Sequence, residues 1–146
     1  MVQRLVRLER KDLTDVRLVD LPRHEADNGE LVVIEEGRTI PFATVRMFTV
    51  RAPASAVRGQ HAHKRCAQFL VCVHGSIRVE CDDGERTTTF LLDSGSVGLL
   101  VPPSIWASET YVVGGSVLSV LCDRHYEADD YIRDYDRFLA WRRADE

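Results

Sequence analysis

Short runs of β-forming residues recur along this chain at fairly regular spacing, each closed by a turn signal, and that pattern limits the possible folds more than any other feature. LVVIEE (31–36) is followed by Gly37, VRMFTVRA (45–52) alternates and ends at Pro53, and QFLVCVHG (68–75) reads as a buried strand closed by Gly75. SIRVEC (76–81) alternates up to Asp82-Asp83-Gly84, a strong hairpin signal. RTTTFLL (86–92) leads to a turn at Asp93-Ser94-Gly95, SVGLLV (96–101) stops at Pro102-Pro103, and SVLSVLC (116–122) follows Gly114-Gly115. Many short strands so spaced predict an all-β sandwich or barrel.

The tail reads differently. In EADDYIRDYDRFLAWRR, Tyr131, Tyr135, Phe138 and Leu139 recur near helical spacing, and Asp129 and Asp130 suit a helix start. The expectation is one domain over residues 1–146, a barrel with a C-terminal helix at about 128–142. A length of 146 residues fits a single domain with a sizeable core.

Charge and cysteine content exclude several function classes. The net charge of −4 argues against non-specific nucleic-acid binding, which needs positive charge. No stretch is long and apolar enough to predict a membrane span, and the charged N-terminus MVQRLVRLERKDL does not read as a signal peptide. Cys66, Cys72, Cys81 and Cys122 include no C-x-x-C pair, which predicts free buried thiols in a reducing cytoplasm and no structural zinc site. Lys11 and Lys64 are the two lysines, so most of the positive charge is arginine, a residue suited to bidentate phosphate recognition.

The chemistry concentrates in Gly59-Gln60-His61-Ala62-His63-Lys64-Arg65-Cys66-Ala67-Gln68. Side chains two apart on a strand project from one face, so His61 and His63 would point together into a barrel. The spacing resembles the first cupin motif, H-x-H-x(3–4)-E-x6-G, with His61, His63, Gln68 and Gly75 on its marked positions. The second cupin motif is looser: Gly95 begins it, Pro102 lies one residue late, Ser104 replaces a glycine and Ala107 stands at the histidine. A metallocupin needs a carboxylate and a third histidine where this chain has Gln68 and Ala107, and two neutral imidazoles alone hold a divalent metal weakly. The expectation is therefore no metal, with both imidazoles free for proton transfer near neutral pH. His24, His74 and His125 lack such a setting and read as structural or exposed.

Ile40-Pro41-Phe42, Arg46 and Arg58-Gly59-Gln60-His61-Ala62-His63-Lys64 together resemble the signature of the sugar-nucleotide 3,4-ketoisomerases. Gln68–Gly75 resembles the strand of that family, and Asp130-Tyr131-Ile132-Arg133-Asp134-Tyr135-Asp136 its DYIR-x-YD segment. The resemblance implies a homodimeric cupin barrel that binds a dTDP-linked keto-deoxysugar and moves its ketone from C4 to C3 through an enediolate, without redox cofactor or metal. It implies His61 as the C3 base and His63 as its relay partner, with Arg46 and Arg58 on the pyrophosphate or the enolate oxygen. Phe48, Gln68 and Trp106 are placed with them at the substrate. The chain departs from the family pattern at Phe48, where a tyrosine is usual, and at Ala107, where a histidine follows the tryptophan. Three functions are thus in view: a ketoisomerase, a sugar-nucleotide-binding cupin without catalysis, and a metallocupin such as a dioxygenase, against which Gln68 and Ala107 argue.

Overall fold

The computed structural model describes residues 11–144. After a 3₁₀ turn at Leu13–Asp15, whose Asp12 side chain accepts from the Thr14 amide, twelve strands follow. They are β1 (Arg17–Asp20), β2 (Arg23–Ala26), β3 (Gly29–Val32), β4 (Arg46–Ala52), β5 (Val57–His63), β6 (Gln68–His74), β7 (Ile77–Asp82), β8 (Thr87–Leu92), β9 (Val97–Val101), β10 (Trp106–Tyr111), β11 (Ser116–Cys122) and β12 (Tyr131–Ile132). One helix, α1 (Tyr135–Ala144), ends the described chain. Among the described residues no helix is long and apolar enough to cross a membrane.

Ten strands form two five-stranded antiparallel sheets, ordered β1-β9-β6-β11-β4 and β12-β5-β10-β7-β8. Alternation explains their inner faces. Leu70 and Cys72 of β6, Leu118 and Val120 of β11, and Leu99 and Val101 of β9 face Ile77, Val79 and Cys81 of β7 and Tyr111 of β10 in one core. The other face of β6 carries Phe69 and Val71, which a second cluster covers with Leu21 and Ile40 and with Val32, Ile34 and Phe42 beside them. This is why the run reads as continuously apolar: from Phe69 to Cys72 both of its faces are buried. Gly98 on the neighbouring β9 leaves room for the Phe69 ring, and a Cβ there would collide with its edge.

Two expectations are corrected. LVVIEE does not form a strand over 31–36; pairing covers Gly29–Val32, which forms an exposed hairpin with β2. The helix does not start near 128. Residues 128–132 make a 3₁₀ turn and the short β12, and the helix begins at Tyr135, where the Asp134 carboxylate accepts from the Arg137 amide at 2.9 Å. Asp130 is unavailable as a cap because its carboxylate is turned inward. Helix α1 lies on the outer face of the second sheet, where Phe138, Leu139 and Trp141 pack with Ala62, Ile132 and Trp106.

Candidate active site

His61 and His63 both project from β5 into the space between the sheets, with ring centroids 5.1 Å apart and planes nearly perpendicular. Pairing of β12 with β5 sets Tyr131 directly opposite His63. Directly opposed antiparallel residues share a face, so the Tyr131 ring packs 4.4 Å from His63 and 5.0 Å from His61. A bulge at Gly59 and Gln60, with φ of 78° and 57°, interrupts the pairing with β10 just before His61. Beyond it Ala107 stands opposite His61.

The Nδ1 atom of His63 lies 2.8 Å from Oδ2 of Asp130, and the other carboxylate oxygen accepts from the Arg65 amide at 2.6 Å. Burial pushes the Asp130 carboxyl up, but the bonds from His63 and Arg65 outweigh it and hold it below the usual carboxylate range. Burial likewise lowers His63, against the pull of Asp130. Both shifts describe one state: a neutral imidazole donating Nδ1–H to a carboxylate, with Nε2 left as an acceptor. His61 is pushed down to about 4, first by burial and then by the adjacent His63, with Arg133 adding to it. At neutral pH both imidazoles are therefore uncharged bases.

Gln68, Cys122 and Arg46 form a row across β6, β11 and β4. Gln68 Nε2 donates to Cys122 Sγ at 3.5 Å, and Arg46 Nη2 donates to the same sulfur at 3.7 Å and to the Tyr131 hydroxyl at 3.2 Å. The guanidinium also lies over the rings of Phe48 and Tyr126, 5.2 and 5.7 Å from their centroids. Arg46 Nε, His61 Nδ1 and His63 Nε2 are buried without a hydrogen-bond partner in the protein. Unpaired buried polar atoms are costly, and these three gather where a polar ligand would satisfy them.

Of the residues picked from sequence, the structure brings together His61, His63, Arg46 and Phe48, with Gln68 reaching them through Cys122. Arg58 is exposed and stands opposite Glu109 rather than beside the imidazoles. Trp106 is not brought to the site: its ring packs on the outer face against Tyr135 and Phe138 of the helix, at 5.3 and 5.7 Å. Sequence reasoning missed Asp130, Tyr131 and Arg133, whose guanidinium lies 4.4 Å over the Tyr131 ring. Their signal was the DYIR segment itself, which was read as a helix start.

Two facing antiparallel sheets enclosing an H-x-H pair define a cupin barrel, with the cupin carboxylate and third histidine replaced by Gln68 and Ala107. Residues 14–143 match the family described as FdtA: WxcM-like, C-terminal, and the chain belongs to that family. It is 38% identical over 135 residues to the TDP-4-oxo-6-deoxy-alpha-D-glucose-3,4-oxoisomerase of Aneurinibacillus thermoaerophilus, covering 92% of this chain and 93% of that one. Its structure is similar to the sugar 3,4-ketoisomerase QdtA of Thermoanaerobacterium thermosaccharolyticum, solved in complex with TDP, with TM-score 0.86, 30% identity and coverage of 91% and 98% of the two chains. It is also similar to a 3,4-ketoisomerase of Helicobacter canadensis, with TM-score 0.85, 28% identity and coverage of 88% and 98%.

Proposed function

We propose that this chain is a sugar-nucleotide 3,4-ketoisomerase that converts dTDP-4-keto-6-deoxyglucose into a dTDP-3-keto-6-deoxyhexose. The observation that carries the reading is the pair of facing neutral imidazoles, a half-buried His61 and a buried His63 fixed by Asp130. A C3 proton beside a C4 ketone is acidified because its removal gives an enediolate. His61 takes that proton, and the electron pair moves onto the C4 oxygen. The enediolate then loses the O3 proton and gains one on O4 and one on C4, leaving the ketone at C3. His63, with Nε2 facing the pocket, relays protons, and Asp130 stabilises the imidazolium that forms in passing. Arg46 and the Tyr131 hydroxyl supply the polar edge on which the enediolate oxygens rest, with Phe48 and Gln68 completing that wall. Arg58, at the exposed end of β5, takes the nucleotide's phosphates. A solved mutant of the Thermoanaerobacterium enzyme is in complex with TDP-4-keto-6-deoxyglucose, which supports the substrate class.

The active species in this reading is a homodimer in the cytoplasm. Support comes from the β2–β3 hairpin, which pairs with neither sheet and leaves Leu31 57% exposed, and from four free buried cysteines. Light scattering that gives a monomer mass, unchanged on dilution, would overturn the dimer. The second reading, a binding module without catalysis, rests on Phe48 and Ala107. Incubation with dTDP-4-keto-6-deoxyglucose in deuterated water, followed by NMR, separates the two. Deuterium at C3 and a 3-keto product are expected; nucleotide-sugar binding with neither would establish the binding module.

A further inference from the structure

Cys66 and Cys122 take no part in the proton transfers above, yet they lie against the residues that do. Cys66 sits in the turn after β5, where its Sγ donates to the Ala67 carbonyl at 3.4 Å, and Cys122 ends β11, where its sulfur accepts from Arg46 and Gln68. A ring nitrogen of His63, the Cys66 sulfur and a carboxylate oxygen of Asp130 all lie within 4.8 Å of one another. From this geometry we infer that His63, Cys66 and Asp130 form an inhibitory binding site for a thiophilic divalent cation of the zinc type.

The donor set is one that zinc takes: thiolate, imidazole and carboxylate as three protein ligands, with the fourth tetrahedral position open. Metal–ligand lengths of about 2.0–2.3 Å put donors roughly 3.3–3.8 Å apart in a tetrahedron, so the 2.8 Å pair of His63 and Asp130 opens by about 0.5–1 Å, and no donor has to close by more than about 1.5 Å, as the metal enters. The three donors are buried: His63 is 6%, Cys66 3% and Asp130 3% exposed. Its donors are already held in place. The Asp130 carboxylate is fixed by the Arg65 amide, and the turn carrying Cys66 is clamped by Ala67 donating to the Asp123 carboxylate at 2.9 Å. One thiolate and one carboxylate match the charge of one dication. Sulfur donors select zinc or cadmium over magnesium, calcium or manganese.

Binding would silence the relay. A cation on His63 Nδ1 displaces the ring proton to Nε2, the atom that must accept a proton from substrate, while the Cys66 thiol proton leaves to solvent. Inhibition rests on the isomerase reading; binding does not, and the two are measured separately. Titration of the native protein with cadmium should give one equivalent of tight binding with a thiolate-to-metal charge-transfer band in the ultraviolet. Zinc should compete for it and depress C3 exchange at least tenfold, and a chelator should restore activity. Cys66→Ser should keep the activity and lose at least tenfold in zinc affinity by calorimetry. Absence of the cadmium band in the native protein, or unchanged zinc affinity in Cys66→Ser, would overturn the site. A normal band with full exchange activity would overturn its inhibitory role.

Discussion

His63 and Asp130 are 67 residues apart in sequence and meet through a 2.8 Å contact between Nδ1 and Oδ2, with both side chains buried. The carboxylate fixes which ring nitrogen carries the proton and so which one faces the pocket. It is also the only carboxylate bonded to either imidazole among the described residues.

Asp130→Asn keeps the size of the side chain and removes its charge. The amide can present N–H to Nδ1, which reverses the tautomer and leaves Nε2 protonated. The rate of 3-keto product formation should fall by about a hundred- to ten-thousand-fold, the range for losing a positioned acid–base group. NMR assay of product against time checks this, and a loss below about threefold would show that Asp130 does not set the tautomer.

The acid limb of the pH–rate profile should lie well below an ordinary histidine. His61 works as a base only when neutral, and burial with its neighbour His63 brings it to about 4 from 6.5. The value of kcat/KM should therefore hold through pH 6 and fall only as the pH approaches about 4. A limb near 6.5 would mean that His61 is solvated or not the base. His61→Asn should abolish exchange of the C3 proton at every pH.

Much of the barrel was legible because β4, β6, β7, β8, β9 and β11 each carry a period-two or fully apolar pattern bounded by Gly, Pro or Asp-Gly. Strand β10, WASETY, was not. One face meets the helix through Trp106, the other lines the site and core through Ala107 and Tyr111, and the bulge lies between Ala107 and Ser108, so its alternation is broken. The histidine pair was visible because both members sit on one short segment. Asp130 and Tyr131 were not, since local sequence cannot distinguish an acid that caps a helix from one turned inward by strand pairing.

Phe48 and Tyr131 give a paired test of where the missing family hydroxyl is replaced. Tyr131 already places an oxygen on Arg46 at 3.2 Å beside both imidazoles, whereas Phe48 offers only its ring to the guanidinium. A hydrogen bond to a charged group is worth about 1.5–3 kcal/mol. Tyr131→Phe should therefore lower kcat roughly tenfold to a hundredfold, with dTDP affinity changed much less. Phe48→Tyr should raise the rate by less than Tyr131→Phe lowers it. A large gain from Phe48→Tyr with no loss from Tyr131→Phe would reassign the hydroxyl to position 48.

Glu109 governs stability at the alkaline end. It stands opposite Arg58 in the β5–β10 pairing, and its carboxylate lies against Gly59, where any Cβ would collide with it. Oε2 is buried without a partner, and burial raises the carboxyl from 4.5 to about 7, only partly offset by its own backbone amide and then by Arg58. The folded state thus holds this proton more tightly than the unfolded chain does. By linkage, the group's contribution is full below pH 4.5 and is lost as the pH rises through about 7. His61 acts in the opposite sense: its neutral form is favoured by folding, so stability is lost as the pH falls from 6.5 towards 4. The two together put maximal stability in the mildly acidic range. Glu109→Gln removes the ionisation while keeping the shape beside Gly59. Its Tm should exceed that of the native protein at pH 8 and approach or fall below it at pH 5. Calorimetric scans at the two pH values decide the matter, and an equal shift at both would show that Glu109 does not titrate within the barrel.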